Sequence, residues 1–196
     1  MVALKPIDDT LVTVGQPTEG GCVYTSFAEN PTLPTDAVTK VSTLSNLESL
    51  GDISENGFTE AKSVSSTKHK NWNGDTVASS TTEKTTTYKL EFLETSRPAV
   101  AKLRYGSKSV KVDEASGSVS QIDDTGEDSP VVPLVIDELE SNGWLRRTVI
   151  PRAVVESMDD VPHQKGSLLV YGMTFTVLKS DKPLISIYRA KAPASA

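Results

Sequence analysis

The stretch Thr85-Thr86-Thr87-Tyr88-Lys89-Leu90-Glu91-Phe92-Leu93 indicates the fold class of this 196-residue chain. Apolar side chains recur at every second position, at Tyr88, Leu90 and Phe92, and polar residues stand between them. Because successive side chains of a β-strand point to opposite faces, this alternation predicts a strand with one buried face. The preceding residues, 79–87, are polar at every position. We expect that half of the strand to project as a ribbon or to pair where water reaches it.

Two Asn-Gly pairs stand on the N-terminal side of this strand, and both are favoured hairpin signals. Asn56-Gly57 predicts one turn and Asn73-Gly74 a second, with the polar residues 59–70 between them. The predicted tip carries Lys68-His69-Lys70-Asn71-Trp72. Mixed basic and aromatic residues also occur in nucleic-acid binders, but in an acidic chain we interpret them as the tip of a long hairpin.

One helix is predicted at about residues 96–105, flanking a sheet. Thr95 or Ser96 can act as its N-cap, Pro98 falls in its first turn, and Gly106 can end it. Further strands are predicted at 131–139, 144–155, 168–178 and 183–188. Pro151 places the second of these at a sheet edge or a bulge, because proline cannot donate to a ladder.

The composition agrees with a mainly β protein, since the chain has 23 Ser, 21 Thr and 21 Val. Its 20 Lys and Arg against 26 Asp and Glu argue against a protein that coats nucleic acid, which needs a basic face. No apolar run approaches the roughly 18 residues of a membrane span. We therefore expect no membrane segment and a chain made in the cytosol.

No motif in the sequence indicates catalysis, a cofactor or a metal site. A glycine-rich phosphate loop, a His-Glu-x-x-His helix and paired cysteines are all missing from the sequence. His69 and His163 are interpreted as surface residues, and Cys22 as a small apolar one. The acidic run 123–128 is interpreted as a solvated turn, although calcium is the alternative. We expect that the protein is not an enzyme.

Residues 1–40 are predicted to form an extended N-terminal arm, because four prolines and several glycines interrupt every apolar period. A disordered terminus is the alternative. The arm is nevertheless more apolar than a linker needs, which favours docking on another molecule. Its candidate contact residues are Val12, Val14, Val23, Tyr24 and Phe27. The main domain is predicted over residues 41–190, and residues 191–196 are predicted to be a flexible tail.

Two segments of the hairpin region form a moderately specific set. They are Leu50-Gly51-Asp52-Ile53-Ser54-Glu55-Asn56-Gly57-Phe58-Thr59-Glu60 and Lys70-Asn71-Trp72-Asn73-Gly74-Asp75-Thr76-Val77. Together with Thr85–Thr95, Arg104–Gly106 and Val149-Ile150-Pro151-Arg152-Ala153, they resemble the major tail tube proteins of long, non-contractile-tailed bacteriophages (the siphophage tail tube family). The resemblance covers roughly residues 10–180 and is looser after 110. Asp52 stands where family members more often have an aromatic residue.

The resemblance implies a β-sandwich or barrel-like subunit that forms stacked, hexameric rings with itself. The rings would build the tail of the virion, assembled in the host cytoplasm, and the tape-measure protein and other tail proteins would be partners. DNA would pass through the tube without specific binding, and the arm would reach the next ring. Alternatives are a tail-completion, distal-tail or type VI secretion-like tube component, or an immunoglobulin-like binding module.

A conduit for DNA is expected to have an acidic wall, because lysine–phosphate contacts would hold a moving genome. The candidate lumen-facing residues are Glu60, Glu83 and Glu91. Lys84 and Lys89 are expected on the opposite face or paired with acids, although the strand alternation puts Lys89 on the face of Glu83 and Glu91.

Overall fold

The computed structural model describes residues 12–18 and 22–193, and within them the chain is mainly β. The described part of the chain contains eleven strands and one α-helix. The strands are β1 Gly15–Pro17, β2 Val23–Thr25, β3 Glu48–Ser49, β4 Ile53–Lys70, β5 Thr76–Phe92, β6 Val110–Val112, β7 Val119–Ile122, β8 Val132–Glu140, β9 Trp144–Met158, β10 Tyr171–Val177 and β11 Ser186–Lys191; the helix is α1 Pro98–Tyr105. The prediction of a mainly β chain with one helix is confirmed.

Nine of the strands form one antiparallel sheet, and seven of these follow the order β3-β2-β8-β9-β10-β5-β4. In addition, β1 pairs with the end of β8, and β11 pairs with the first half of β9. The remaining strands, β6 and β7, form a separate antiparallel ribbon. Among the described strands β4 pairs only with β5, so β4 is one edge of the sheet.

The sheet bends so that strands from both of its ends share one core. Val23 of β2 and the alternating residues Tyr88, Leu90 and Phe92 of β5 are all fully buried in this cluster. α1 covers it with Val100 and Leu103. The predicted alternation of β5 is therefore confirmed, and its buried face belongs to the same core as the helix.

A second, smaller cluster lies apart from this core and holds the chain between β2 and β4. It contains Val41, Val135 and Val149, with Leu33 and Leu47 packed against it. Arg147 binds the segment 36–39, which lies between β2 and β3. Its Nη1 donates to the carbonyl oxygens of Asp36 and Thr39 at 3.0 and 2.8 Å. Its Nε and Nη2 donate to the Asp137 carboxylate at 2.6 and 2.7 Å.

Pro151 lies where β9 changes partners. On one side of β9, residues 144–149 pair with β11, and residues 153–158 pair with β10. On the other side the register with β8 shifts between Val132 and Leu134. Because proline has no N–H to donate, it fits this irregular point without the loss of a ladder bond. The prediction of a bulge is confirmed.

The structure corrects the Asn56-Gly57 turn and the helix cap. Asn56-Gly57 lies inside β4, where the register with β5 shifts between Ile53 and Phe58, and Gly57 has a φ of +67°. Gly57 thus adopts the positive φ that makes Asn-Gly common in hairpin turns, but here this conformation belongs to a bulge within the strand. The N-cap of α1 is Arg97, without a side-chain cap bond, rather than Thr95 or Ser96.

The predicted arm is partly a component of the sheet. Val23 is fully buried, and β2 pairs with both β3 and β8 of the same chain. The prediction of an arm is wrong at β2, because the partners of this strand, residues 134–136 of β8, lie more than 100 positions away in the sequence. Residues 1–11 and 19–21 of the predicted arm, and 194–196 of the predicted tail, lie outside the described residues. Lys191, which the prediction also places in the tail, is the last residue of β11 and pairs with Trp144 of β9.

Candidate assembly surface

The hairpin of β4 and β5 extends far beyond the core and ends in a tryptophan. We call residues 61–84 the ribbon and residues 70–75 its tip. Side chains 61–70 and 76–84 are exposed on both faces. The exposure predicted for the polar residues 79–87 is confirmed for 79–84, whereas 85–87 are half-buried. Trp72 is fully exposed at 103%, and Val64 and Val77 are more than 60% exposed. The ribbon therefore buries little of its own surface within this chain.

Hydrogen bonds hold the tip in a defined turn. Asn71 N donates to Asp75 O at 2.9 Å, and Gly74 N donates to Asn71 O at 3.0 Å. The Asn71 side chain accepts from Asp75 N at 2.9 Å. Gly74 has a φ of +89°, a conformation that glycine adopts without a steric penalty. The predicted Asn73-Gly74 turn is confirmed, and it presents Trp72 on an ordered loop.

The lumen candidates are divided between the two faces of the hairpin. Glu60 lies opposite Tyr88, whereas Glu83 lies opposite Ser65. Directly paired residues share a face and neighbours alternate, so Glu60 lies on one face and Glu83 and Glu91 on the other. One surface of the hairpin cannot carry all three acids.

The surroundings of the three acids also differ. Glu91 accepts from Ser54 Oγ at 2.7 Å and from Asn56 Nδ2 at 3.3 Å. Glu60 lies 2.7 Å from Lys62 Nζ, and this hydrogen bond lowers the pKa of the Glu60 carboxyl. Of the two lysines, Lys89 is paired with Asp159 at 2.7 Å, and Lys84 lies opposite Val64 on the face of Glu60.

An acidic cavity of about 660 Å³ lies at the base of the hairpin, and we call it the base cavity. It is bordered by β1, by the bulged start of β4 and by the facing ends of β8 and β9. Its charged lining residues are Asp52, Glu55, Glu60, Asp137, Glu138 and Arg146. Phe58 and Ile53, which also line it, are partly buried and pack against the core. The base cavity thus combines negative charge with an apolar floor.

Charge within the base cavity is incompletely balanced. Arg146 Nη1 lies 3.6 Å from Glu138 Oε2, too far for a strong hydrogen bond. Oε2 of Glu138 is buried and has no hydrogen-bond partner among the described residues. Burial raises the pKa of the Glu138 carboxyl against the lowering effect of Arg146. No short-range pattern in the sequence predicts this cavity, because its lining comes from distant segments.

The candidate arm residues fall into two groups. Val12 and Val14 are 73% and 62% exposed, so their surfaces are accessible. Val23 is fully buried in the core of its own chain and has no surface to offer a neighbouring subunit. Tyr24 and Phe27 are half-buried, and the Phe27 ring packs on the core with Lys102 Nζ 5.1 Å from its centroid.

The side chains that could bind a metal ion or act as a nucleophile are not grouped into a site in the described part of the chain. The described residues contain no group of three or more His, Cys, Asp or Glu side chains placed to hold a metal ion. In the acidic run, Asp123 accepts from Lys111 Nζ at 2.9 Å. Burial raises the pKa of the Cys22 thiol to about 11, which keeps it neutral. His69 shares a hydrogen bond of 2.9 Å with Ser80 across the ribbon.

Within the described residues no helix has the length and apolar character that a membrane crossing requires. In comparisons with family models and with curated proteins, no significant match to this chain was found.

Proposed function

We propose that this protein is a structural subunit of a siphophage tail, a tail tube protein that forms stacked hexameric rings. The observation that supports the proposal most is the ribbon, whose two faces are exposed over ten residues of β4 and nine residues of β5. A lone globule gains nothing from such an element, since a two-stranded ribbon without a core is marginally stable in water. A neighbouring subunit would bury it.

The exposed edge of β4 gives the same proposal a second support. Fourteen of the eighteen residues of this strand have a partner in β5, and none pairs on its other side among the described strands. Unpaired strand edges are templates for pairing between chains, and head-to-tail contacts close into rings or continue as filaments. In this proposal the protein acts in the virion tail after assembly in the host cytoplasm, with the tape-measure protein and other tail proteins as partners.

Negative-stain microscopy of the concentrated protein, combined with sedimentation velocity across concentration, tests the proposal. We expect stacked rings with a central channel, and a sedimentation coefficient that rises with concentration. Single rings that never stack would instead favour a tail-completion or distal-tail component. A strict monomer at every concentration would contradict a tube subunit and favour a binding module.

The division of acids between the two hairpin faces makes the lumen testable. Glu83→Lys with Glu91→Lys reverses charge on one face, and Glu60→Lys reverses it on the other. If the tube conducts DNA past an acidic wall, one of these variants should assemble normally and fail in genome delivery. Unimpaired delivery by both would contradict an acidic lumen formed by these residues.

A further inference from the structure

The ribbon and the rest of the chain carry opposite charge. Residues 61–84 contain four lysines, at positions 62, 68, 70 and 84, against the two acids Asp75 and Glu83, so their net charge is +2. The whole chain carries −6. Two of the lysines, Lys68 and Lys70, precede Trp72 at the exposed end. Residues 68–75, which we call the knob, therefore combine an exposed tryptophan with a net charge of +1 on an acidic molecule.

The base cavity is complementary to this knob in charge and in polarity. Its lining carries five carboxylates and one guanidinium, above an apolar floor that includes Phe58. One of the carboxylates, Asp137, is already satisfied by Arg147. Tryptophan side chains are favoured anchors at protein interfaces, because they bury a large apolar area and keep one N–H donor. A cavity of about 660 Å³ has room for an indole ring with a neighbouring lysine side chain.

The tip cannot reach the base cavity of its own chain. Glu60, at the cavity, and Lys70, where β4 ends and the tip begins, are separated by ten positions along one extended strand. At about 3.3 Å per residue this places the tip about 33 Å from the cavity. Since β4 stays paired with β5 from Phe58 to Lys70, the ribbon does not fold back on its own base. Contact between knob and cavity requires a second copy.

We propose that Trp72, with Lys68 and Lys70, docks in the base cavity of a second copy of this chain. The contact is head-to-tail, because knob and cavity are different surfaces, and each subunit offers one of each. This inference rests on the proposed function, since it names one contact by which tube subunits hold each other. It places the apolar ring on the floor near Phe58 and the lysines near Asp52 and Glu55.

Charge reversal on the two sides provides the test by sedimentation. The tip variant is Lys68→Glu with Lys70→Glu, and the cavity variant is Asp52→Lys with Glu55→Lys; all four side chains are exposed, so the fold should be retained. Each variant alone should associate about tenfold more weakly or worse than the unchanged protein, because like charges oppose docking. A mixture of the two should associate again, since the new glutamates of the tip variant then lie beside the new lysines of the cavity variant.

The matched control is Lys165→Glu with Lys182→Glu, which changes net charge as the tip variant does at exposed loop positions. It should assemble as the unchanged protein does. Assembly of the tip variant at wild-type concentration, or failure of the mixture to recover, would overturn the docking contact.

A second readout follows Trp72 itself. In the Trp144→Phe variant Trp72 is the only tryptophan, so its emission and its quenching by acrylamide report its own environment. On assembly we expect emission at shorter wavelength and several-fold weaker quenching. Rings or tubes in which Trp72 remains fully quenchable would overturn this contact and leave the proposed function standing. Absence of any self-association would overturn both.

Discussion

Arg147 connects two separate parts of the chain through one buried guanidinium. Its side chain is 4% exposed, and it bonds the Asp137 carboxylate together with two carbonyl oxygens of the segment 36–39. Replacement by alanine leaves the half-buried Asp137 carboxylate and the carbonyl oxygens of Asp36 and Thr39 without this partner, so we expect Arg147→Ala to lower the free energy of unfolding by about 3 kcal/mol. Urea denaturation measures this loss.

The matched control for that change is Arg152→Ala, on the same strand. Arg152 is exposed and donates a single hydrogen bond, to Lys179 O at 3.1 Å. We expect it to cost about 1 kcal/mol or less. Similar losses for the two variants would show that the buried position of Arg147 is energetically unimportant.

Glu138 gives a prediction about pH. Burial raises the pKa of its carboxyl, with smaller raising effects from Glu140 and Glu60 and a lowering effect from Arg146. The folded protein thus holds this proton more tightly than the unfolded chain does, so the contribution of protonated Glu138 to stability is lost as pH rises through its folded-state pKa. Glu138→Gln, which cannot ionise, should raise the free energy of unfolding at pH 7 by about 1 kcal/mol.

The difference between Glu138→Gln and the unchanged protein should shrink as pH falls and Glu138 becomes protonated. Paired urea titrations at several pH values measure it. A variant that is less stable at pH 7 would mean that the ion pair with Arg146 outweighs the burial of the charge.

At the scale of elements, the two halves of β5 should differ in dynamics. Residues 76–84 are exposed on both faces, whereas Tyr88, Leu90 and Phe92 are buried in the core. Because a two-stranded ribbon without a core opens easily, its amides should exchange much faster than those of residues 88–92 in the unassembled protein. Hydrogen exchange followed by mass spectrometry resolves the two halves. Equal protection along β5 in a verified monomer would argue against an independent ribbon.

The N-terminal strands give a second prediction at this scale. Deletion of residues 1–27 removes β2 and the fully buried Val23, together with the carbonyl of Val23 that accepts from Leu50 N at 2.8 Å. We expect this deletion to abolish cooperative unfolding. Deletion of residues 1–14 removes the exposed Val12 and Val14 and leaves β1 in place, so the fold should persist. Thermal melts by circular dichroism distinguish the two, and identical melts would contradict a structural role for β2.

At the scale of the whole molecule, assembly should couple to stability. If subunits associate through surfaces that exist only in the folded state, mass action stabilises that state, and the apparent Tm rises with protein concentration. Added salt should reduce this rise, because it screens the attraction between the basic tip and the acidic cavity. Differential scanning calorimetry at several concentrations and ionic strengths tests both effects. A Tm independent of concentration would exclude stabilising assembly under those conditions.

The sequence by itself determined the elements whose signal is local. The alternation at Tyr88, Leu90 and Phe92 predicts β5 and its buried face, and Asn73-Gly74 predicts the hairpin turn, because side-chain direction and turn conformation depend on adjacent residues. Pro151 likewise marks an irregular point of β9 from its missing N–H alone. The polar stretch 79–87 predicts the exposed ribbon, since no core can bury it.

The tertiary structure decided everything that depends on partners far apart in the chain. Val23 is a core residue because β8 lies beside it, and Asn56-Gly57 is a bulge because β5 continues past it. Glu60 faces away from Glu83 and Glu91 because of the register of β4 with β5. The base cavity combines residues near positions 15, 55 and 138. Such contacts depend on strand pairing over long sequence separations, which local propensity does not encode.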